Sequence, residues 1–427
     1  MVPRRGRRVR RRDVLAAGAG AVLAGCGRDD AGGVPLWFSY GGKNREALLA
    51  LVDRFNREEP EHRLSAVYQG DYFELLAKLR TAIHAGRAPA VTHVVAEILP
   101  YLAHAEVLEP LDSIAALQKD FGFVPELTQN GAFSGDKNRP VYALPFNRST
   151  PIAYLNGSIL KELGLAPPTT WDELETFALA ATKGKEGERR YGFSCPIDWW
   201  FWVALVAQAG GELVDADNRF ILGADAGVEA LQFLQRLVHE LEVMRPPSGR
   251  DYNAWQVQNQ EFIAGRVAMI WNSTAFVRYL EDNAKFPVVC APLPKRDRFG
   301  VPTGGTMFVL PKAKTGRMPA HWQEAGARFL AFMARPDTSN EFATKTGYIP
   351  VTRAGVELLE TSGYYEKKPN DRVAVEQLRH VKPWPWNKEL FRVQREVVQS
   401  RLEACVLSRE DPMATIQAAQ HVIAEGP

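Results

Sequence analysis

Four cysteines in 427 residues are too few for a disulfide framework, and Cys26, Cys195, Cys290 and Cys405 show no metal-ligand spacing. Setting Cys26 apart leaves an odd number, so one disulfide at most can form. Catalytic templates are missing too. There is no G-x-S-x-G and no P-loop, and His239-Glu240 runs into Leu-Glu-Val with no second histidine at metalloprotease spacing. Gly18-Ala19-Gly20 lacks the third glycine of a dinucleotide loop, since Leu23 stands there and no strand precedes it. The eight histidines are scattered, and no repeat of fixed period is visible. A net charge of only +2 gives no basic excess, and residues 1 to 25 hold seven Arg and one Asp, so the remainder is acidic at about −4. That balance disfavours a nucleic-acid binder.

The arginines have a more specific reading. Arg11-Arg12 open RRDVL, twelve uncharged and mostly small or apolar residues run from Val14 to Gly25, and Leu23-Ala24-Gly25 lead into Cys26. Such a run is short of the about 20 residues a membrane-spanning helix needs. A twin-arginine export signal ending in a lipobox fits it, with residues 1–26 as signal peptide and Cys26 as the lipid-attachment site. The polar GRDDAGG of residues 27–33 reads as a tether.

About 400 residues remain, more than one hydrophobic core usually supports, so two lobes are expected. Val34 to Ser39, Arg63 to Tyr68 and Val91 to Ala96 read as strands separated by helical periodicity at Leu48, Leu51, Val52, Phe55 and at Leu75, Leu76, Leu79, Ile83. This succession implies parallel strands and an α/β sheet, whose ligands sit beyond the strands' carboxyl ends. Tyr72 and Glu97 each follow a predicted strand there. PFNRSTP, Pro145 to Pro151, lies between two apolar runs and suits a hinge crossing; Asn272-Ser273-Thr274 suits a second. A helix is expected from Thr170, capped by its hydroxyl. Ten tryptophans, among them Trp199, Trp200, Trp202, Trp255, Trp271, Trp384 and Trp386, suggest a face that grips a ligand.

PFNRSTPIAYLN (Pro145 to Asn156) and TGYIPVT (Thr346 to Thr352) resemble segments of the family 1 extracellular solute-binding proteins of ABC importers. RFNREEP (Arg54 to Pro60), GDY (Gly70 to Tyr72), APA (Ala88 to Ala90) and GYYEKKPNDRVAVEQL (Gly363 to Leu378) match in the same order, from Val34 to about Val422. The resemblance implies a two-lobe periplasmic-binding-protein fold of type II, each lobe an α/β sheet flanked by helices, with hinge crossings. Lobe 1 is expected over 34–147 plus 274–336, and lobe 2 over 148–273 plus 337–427.

Members that bind phosphorylated glycerol imply a ligand set here of Tyr72, Ser149, Ser273, Gly305, Tyr348 and Arg395, with Trp200 packing on the ligand. Glu97 joins if one residue is inserted at the strand end; without the insertion Ala96 stands in its place. Hydroxyls, a backbone N–H and a guanidinium suit a phosphate head, and the aromatic rings suit a carbon skeleton or a choline group. The implied function is capture of sn-glycerol 3-phosphate or a glycerophosphodiester for an ABC permease, by a monomer lipid-anchored on the outer face of the cytoplasmic membrane, without cofactor, metal or catalysis. A neutral oligosaccharide is the alternative ligand. An exported glycosidase, whose two carboxylates leave no local motif, is the alternative of another class.

Overall fold

Alternating burial along VPLWF makes β1 (Val34–Phe38), which pairs in parallel with β2 (Leu64–Tyr68). The computed structural model describes residues 33–128, 140–185, 187–312 and 318–426; the expected signal peptide, Cys26 and nearly all of the 27–33 tether lie outside them. Leu36 bridges in parallel to Val91, beside β3 (Thr92–Val95), and β10 (Gly304–Val309), which follows the short β9 (Val301–Pro302), runs antiparallel between β3 and β4 (Leu144–Ser149). These strands form the first sheet. Its helices are amphipathic: Gly42–Glu58 buries Ala47, Leu48, Leu51, Val52 and Phe55, and Tyr72–His84 buries Leu75, Leu76, Leu79, Ala82 and Ile83.

The second sheet has the order β6 (Tyr191–Ser194), β7 (Val267–Ser273), β5 (Pro151–Asn156), β8 (Val288–Ala291). β6 is parallel to β7, while β5 is antiparallel to both of its neighbours. The expected Thr170 cap is present, its hydroxyl accepting from Glu173 N at 3.2 Å to start the helix Trp171–Ala181. Two stretches of PFNRSTP are themselves strands. The chain leaves the first sheet at Ser149 and enters the second at Pro151, with the buried Thr150 alone between them. The Thr150 carbonyl accepts from Thr274 N at 3.2 Å and its hydroxyl from Gln377 Nε2 at 3.0 Å, which ties this crossing down on two sides.

Expected lobe boundaries need correcting at two places. Residues 274–336 do not all go with the first sheet, because β8 hydrogen-bonds to β5 and the preceding Phe276, Val277 and Leu280 pack on Ile152, Tyr154 and Phe262. A return to the first sheet therefore comes between Ala291 and Gly304 rather than after Ser273. Conversely, the helix Pro336–Thr346, expected largely with the second lobe, packs on Gly42–Glu58: Arg54 of that helix pairs with Asp337 and, at 3.1 Å, with Glu341. The helix Arg353–Thr361 still packs on Pro336–Thr346, Asn340 Nδ2 donating to the Gly355 carbonyl at 2.9 Å, and the chain beyond it reaches the second sheet and its helices, Cys290 N donating to Asn370 Oδ1 at 2.9 Å and Gln235 Nε2 to the Cys405 carbonyl at 2.8 Å. Among the described residues, no helix is long and apolar enough to cross a membrane.

Candidate functional site

Three parallel strands, β1, β2 and β3, end at one edge of the first sheet, and the antiparallel β10 begins there. That edge therefore gathers Tyr40, Tyr72, Glu97 and the Gly304-Gly305 pair, with Ser149 at the end of β4. Opposite stand Trp200 in the first turn of the helix Trp199–Gln208, Tyr252 and Trp255 of the helix Asp251–Ile263, Ser273 at the end of β7, and Arg395. Together they line one cavity of about 200 Å³. Tyr72, Glu97, Ser149, Trp200, Ser273, Gly305, Tyr348 and Arg395, all eight residues singled out from sequence, are in its wall. Ala96, the other candidate for the acidic position, is buried in the core beside it.

Local chemistry explains each placement. Asp71 caps the helix Tyr72–His84, accepting from Phe73 N and Glu74 N at 2.8 Å while Glu74 accepts from Asp71 N at 3.1 Å, and this capping box fixes Tyr72 as the first helical residue. The Tyr72 hydroxyl lies 3.3 Å from that of Tyr348 and accepts from Asn147 Nδ2 at 3.0 Å. Asn147 Oδ1 in turn accepts from Thr306 N at 2.7 Å, so the cleft floor is a connected polar network. Gly305 has φ +78°, and a Cβ there would fall 1.8 Å from the Asn147 carbonyl oxygen. At Gly304 a Cβ would meet the Trp200 ring at 2.5 Å; the absent side chain lets that ring lie on β10, where its Nε1 donates to the Thr303 carbonyl at 3.2 Å.

Electrostatically the wall is mixed. Burial pushes the Glu97 carboxyl up to about 7, opposed by its own backbone N–H and by the Arg148 guanidinium. Arg148 of β4 is fully buried, donates to Thr303 Oγ1 at 2.6 Å, and is itself held down to about 10 by burial. Asp198 is pushed up to about 6 by burial, although Phe201 N at 3.1 Å and Trp255 Nε1 at 3.0 Å both donate to it. Arg395, expected to offer its guanidinium to a phosphate, already has a partner within the protein. Its two terminal nitrogens donate to the two oxygens of Asp251 at 2.5 and 3.1 Å, and its guanidinium carbon lies 3.9 Å from the Phe73 ring centroid. The two parallel bonds expected to go to a ligand are thus already made within the protein.

The tryptophan excess divides into two kinds. Trp200 stacks on Trp255 at 5.4 Å with the planes 23° apart, and Tyr252 and Phe276 complete an aromatic corner next to Asp198. Trp202 and Trp271 are core residues, and Trp199 is 1% exposed and stacks on Trp384. Tyr40, Asp198, Asp251, Tyr252 and Trp255 were not selected from sequence. Trp255 was visible as part of the aromatic excess, whereas the acids carried no local signal. Among the described residues, no group of three His, Cys, Asp or Glu could hold a metal ion.

Residues 50–370 match the model of the bacterial extracellular solute-binding protein family. The chain belongs to that family, whose members are transport components of ABC importers and not enzymes. It is similar to the sn-glycerol-3-phosphate-binding periplasmic protein UgpB of Pectobacterium atrosepticum, 27% identical over 420 residues that cover 93% of this chain and 92% of that one. The protein of the same name from Escherichia coli K12 is 27% identical over 404 residues, covering 90% of each. In fold it resembles UgpB of Mycobacterium tuberculosis crystallised with glycerophosphocholine, with a TM-score of 0.78, 23% identity, and coverage of 92% of this chain and 97% of the other. The GacH receptor of Streptomyces glaucescens, solved unliganded and with acarbose, also gives a TM-score of 0.78, at 20% identity with the same coverage.

Proposed function

We propose that this solute-binding protein captures a glycerophosphodiester, glycerophosphocholine being the type ligand, with sn-glycerol 3-phosphate as the smaller relative. One observation carries this reading: a single cavity is lined both by hydroxyl, backbone and guanidinium donors and by an aromatic pair backed by an acid. Ser149 and the Gly305 backbone on one wall, with Ser273 and Arg395 across from them, make up the donor set a phosphate oxygen needs. The stacked Trp200 and Trp255, with Asp198 beside them, suit a quaternary ammonium. Names of the UgpB relatives support the phosphorylated glycerol part. Tyr72, Tyr348 and Glu97 would receive the glycerol hydroxyls.

An oligosaccharide is the second reading, favoured by aromatic rings next to carboxylates. The cavity of about 200 Å³ lies below the usual range of roughly 300–1,000 Å³ for drug-sized ligands, and so favours the smaller solute. Lobe closure about Thr150 and the other crossings would seal the ligand in before delivery to the permease. Under this proposal the twin-arginine segment exports the chain, Cys26 carries the lipid anchor, residues 27–33 give it reach, and it works as a monomer. A thermal-shift panel of glycerophosphocholine, sn-glycerol 3-phosphate, maltose and trehalose tests the ligand. A rise in Tm with the phosphorylated compounds is expected; a rise with a sugar alone would overturn the reading.

A further inference from the structure

We infer that Asp251 is the residue that sets which phosphorylated ligand this cleft accepts, by holding Arg395 neutralised and so favouring a phosphodiester with a cationic head over a phosphate monoester dianion. The inference rests on the ligand reading above. Asp251 and Arg395 come from elements 144 residues apart and meet in a bidentate pair inside the cavity wall. The face of the same guanidinium covers Phe73 of the opposite sheet's helix, so its plane is fixed as well as its charge. Asp251 stands at φ +50°, an unusual backbone state for a residue with a side chain, at the first position of its helix. Its carboxylate is not used as a helix cap, since the cap position belongs to Arg250, where no side-chain capping bond is made. Both oxygens go to Arg395.

The charge inventory of the wall gives this pair its consequence. Asp71, Glu97, Asp198 and Asp251 line the cavity, Glu97 and Asp198 with carboxyls pushed up by burial and the buried Arg148 acting on Glu97, against Arg395 as the one lining guanidinium among the described residues. A monoester dianion would add two negative charges where the lining cation is already compensated by Asp251. A zwitterion adds none overall: its phosphate can take the remaining Arg395 donors and the hydroxyls, while its ammonium lies on the Trp200–Trp255 face near Asp198. Removing the Asp251 charge should help the dianion strongly and the zwitterion little. It also frees one of the two Arg395 N–H groups for a phosphate, since an amide keeps one acceptor oxygen.

The test is calorimetric titration of the chain from Gly27 onward, wild type and Asp251→Asn, with sn-glycerol 3-phosphate and with glycerophosphocholine. Asparagine tolerates positive φ, so the variant keeps the helix start, and an unchanged Tm verifies this. We expect the affinity for glycerol 3-phosphate to rise at least tenfold while that for glycerophosphocholine changes less than threefold. If Asp251 only positions Arg395, both affinities fall, and the inference is wrong. An unchanged ratio also overturns it. Binding of neither compound to either form overturns it together with the ligand reading, whereas tight wild-type binding with an unmoved ratio leaves that reading standing alone.

Discussion

The hydroxyls of Tyr72 and Tyr348 meet at 3.3 Å at the bottom of the cleft, and only Tyr72 is also held by Asn147, at 3.0 Å. The two tyrosines are therefore not equivalent. Tyr72→Phe strips the buried Asn147 amide of its acceptor, at a cost of about 1–3 kcal/mol, whereas Tyr348→Phe leaves that bond intact. Denaturant unfolding of both variants should show the larger loss for Tyr72→Phe, with reduced ligand affinity in each.

Gly305→Ala should be severe for a side chain of one carbon. Its φ of +78° disfavours any Cβ, and the added atom would overlap the Asn147 carbonyl at 1.8 Å. Loss of at least about 2 kcal/mol in unfolding free energy is expected, more than the 1–2 kcal/mol of the backbone term alone. Gly265→Ala, at φ +71° with open space around it, supplies the control for backbone strain without overlap.

Glu97 gives a pH signature. Burial raises its carboxyl to about 7, so the folded state holds a proton that the unfolded chain releases near 4.5. The stabilisation is present in full below about 4.5 and is lost as pH rises through about 7. His93, held down to about 3 by burial, acts in the opposite direction over part of this range, so the comparison is made against Glu97→Gln, in which His93 is unchanged. The Tm of wild type should fall relative to that of Glu97→Gln between pH 5 and 8. A constant difference across the range would mean that Glu97 does not titrate there.

Arg395→Ala should lower affinity for a phosphorylated ligand by about 2 kcal/mol or more, the usual range for removing one partner of a desolvated charged pair. It also leaves Asp251 unpaired and uncovers Phe73. Arg395→Lys should recover little, because an ammonium neither forks onto a carboxylate nor stacks as a plane. Unchanged affinity in the alanine variant would remove the phosphate assignment.

Much of the first sheet was legible because its strand and helix periods alternate in order and its helices carry narrow apolar faces. The strand Val288–Ala291 joins the second sheet although residues 274–336 were expected with the first lobe, since a four-residue apolar run says nothing about which edge it joins. Trp199, Trp200 and Trp202 were read as part of a gripping face, yet every residue of their helix, WWFWVALVAQ, is buried. A helix apolar all round has no face that periodicity can select, and Trp200 reaches the cleft only because Gly304 makes room. All eight expected residues line one cavity, although only Tyr72, Ser149 and Tyr348 stand within the matched motif segments. The partner of Arg395 was invisible, because pairing across 144 residues leaves no local trace.

A cleft suited to a phosphodiester with a cationic head should take up glycerophosphocholine and refuse a neutral sugar. Isothermal titration of wild-type protein with glycerophosphocholine and, separately, maltose tests it most directly. One-to-one binding of glycerophosphocholine is expected with Kd below about 10 μM, about 7 kcal/mol of binding free energy, and no heat with maltose. Saturable binding of maltose with none of glycerophosphocholine would contradict it.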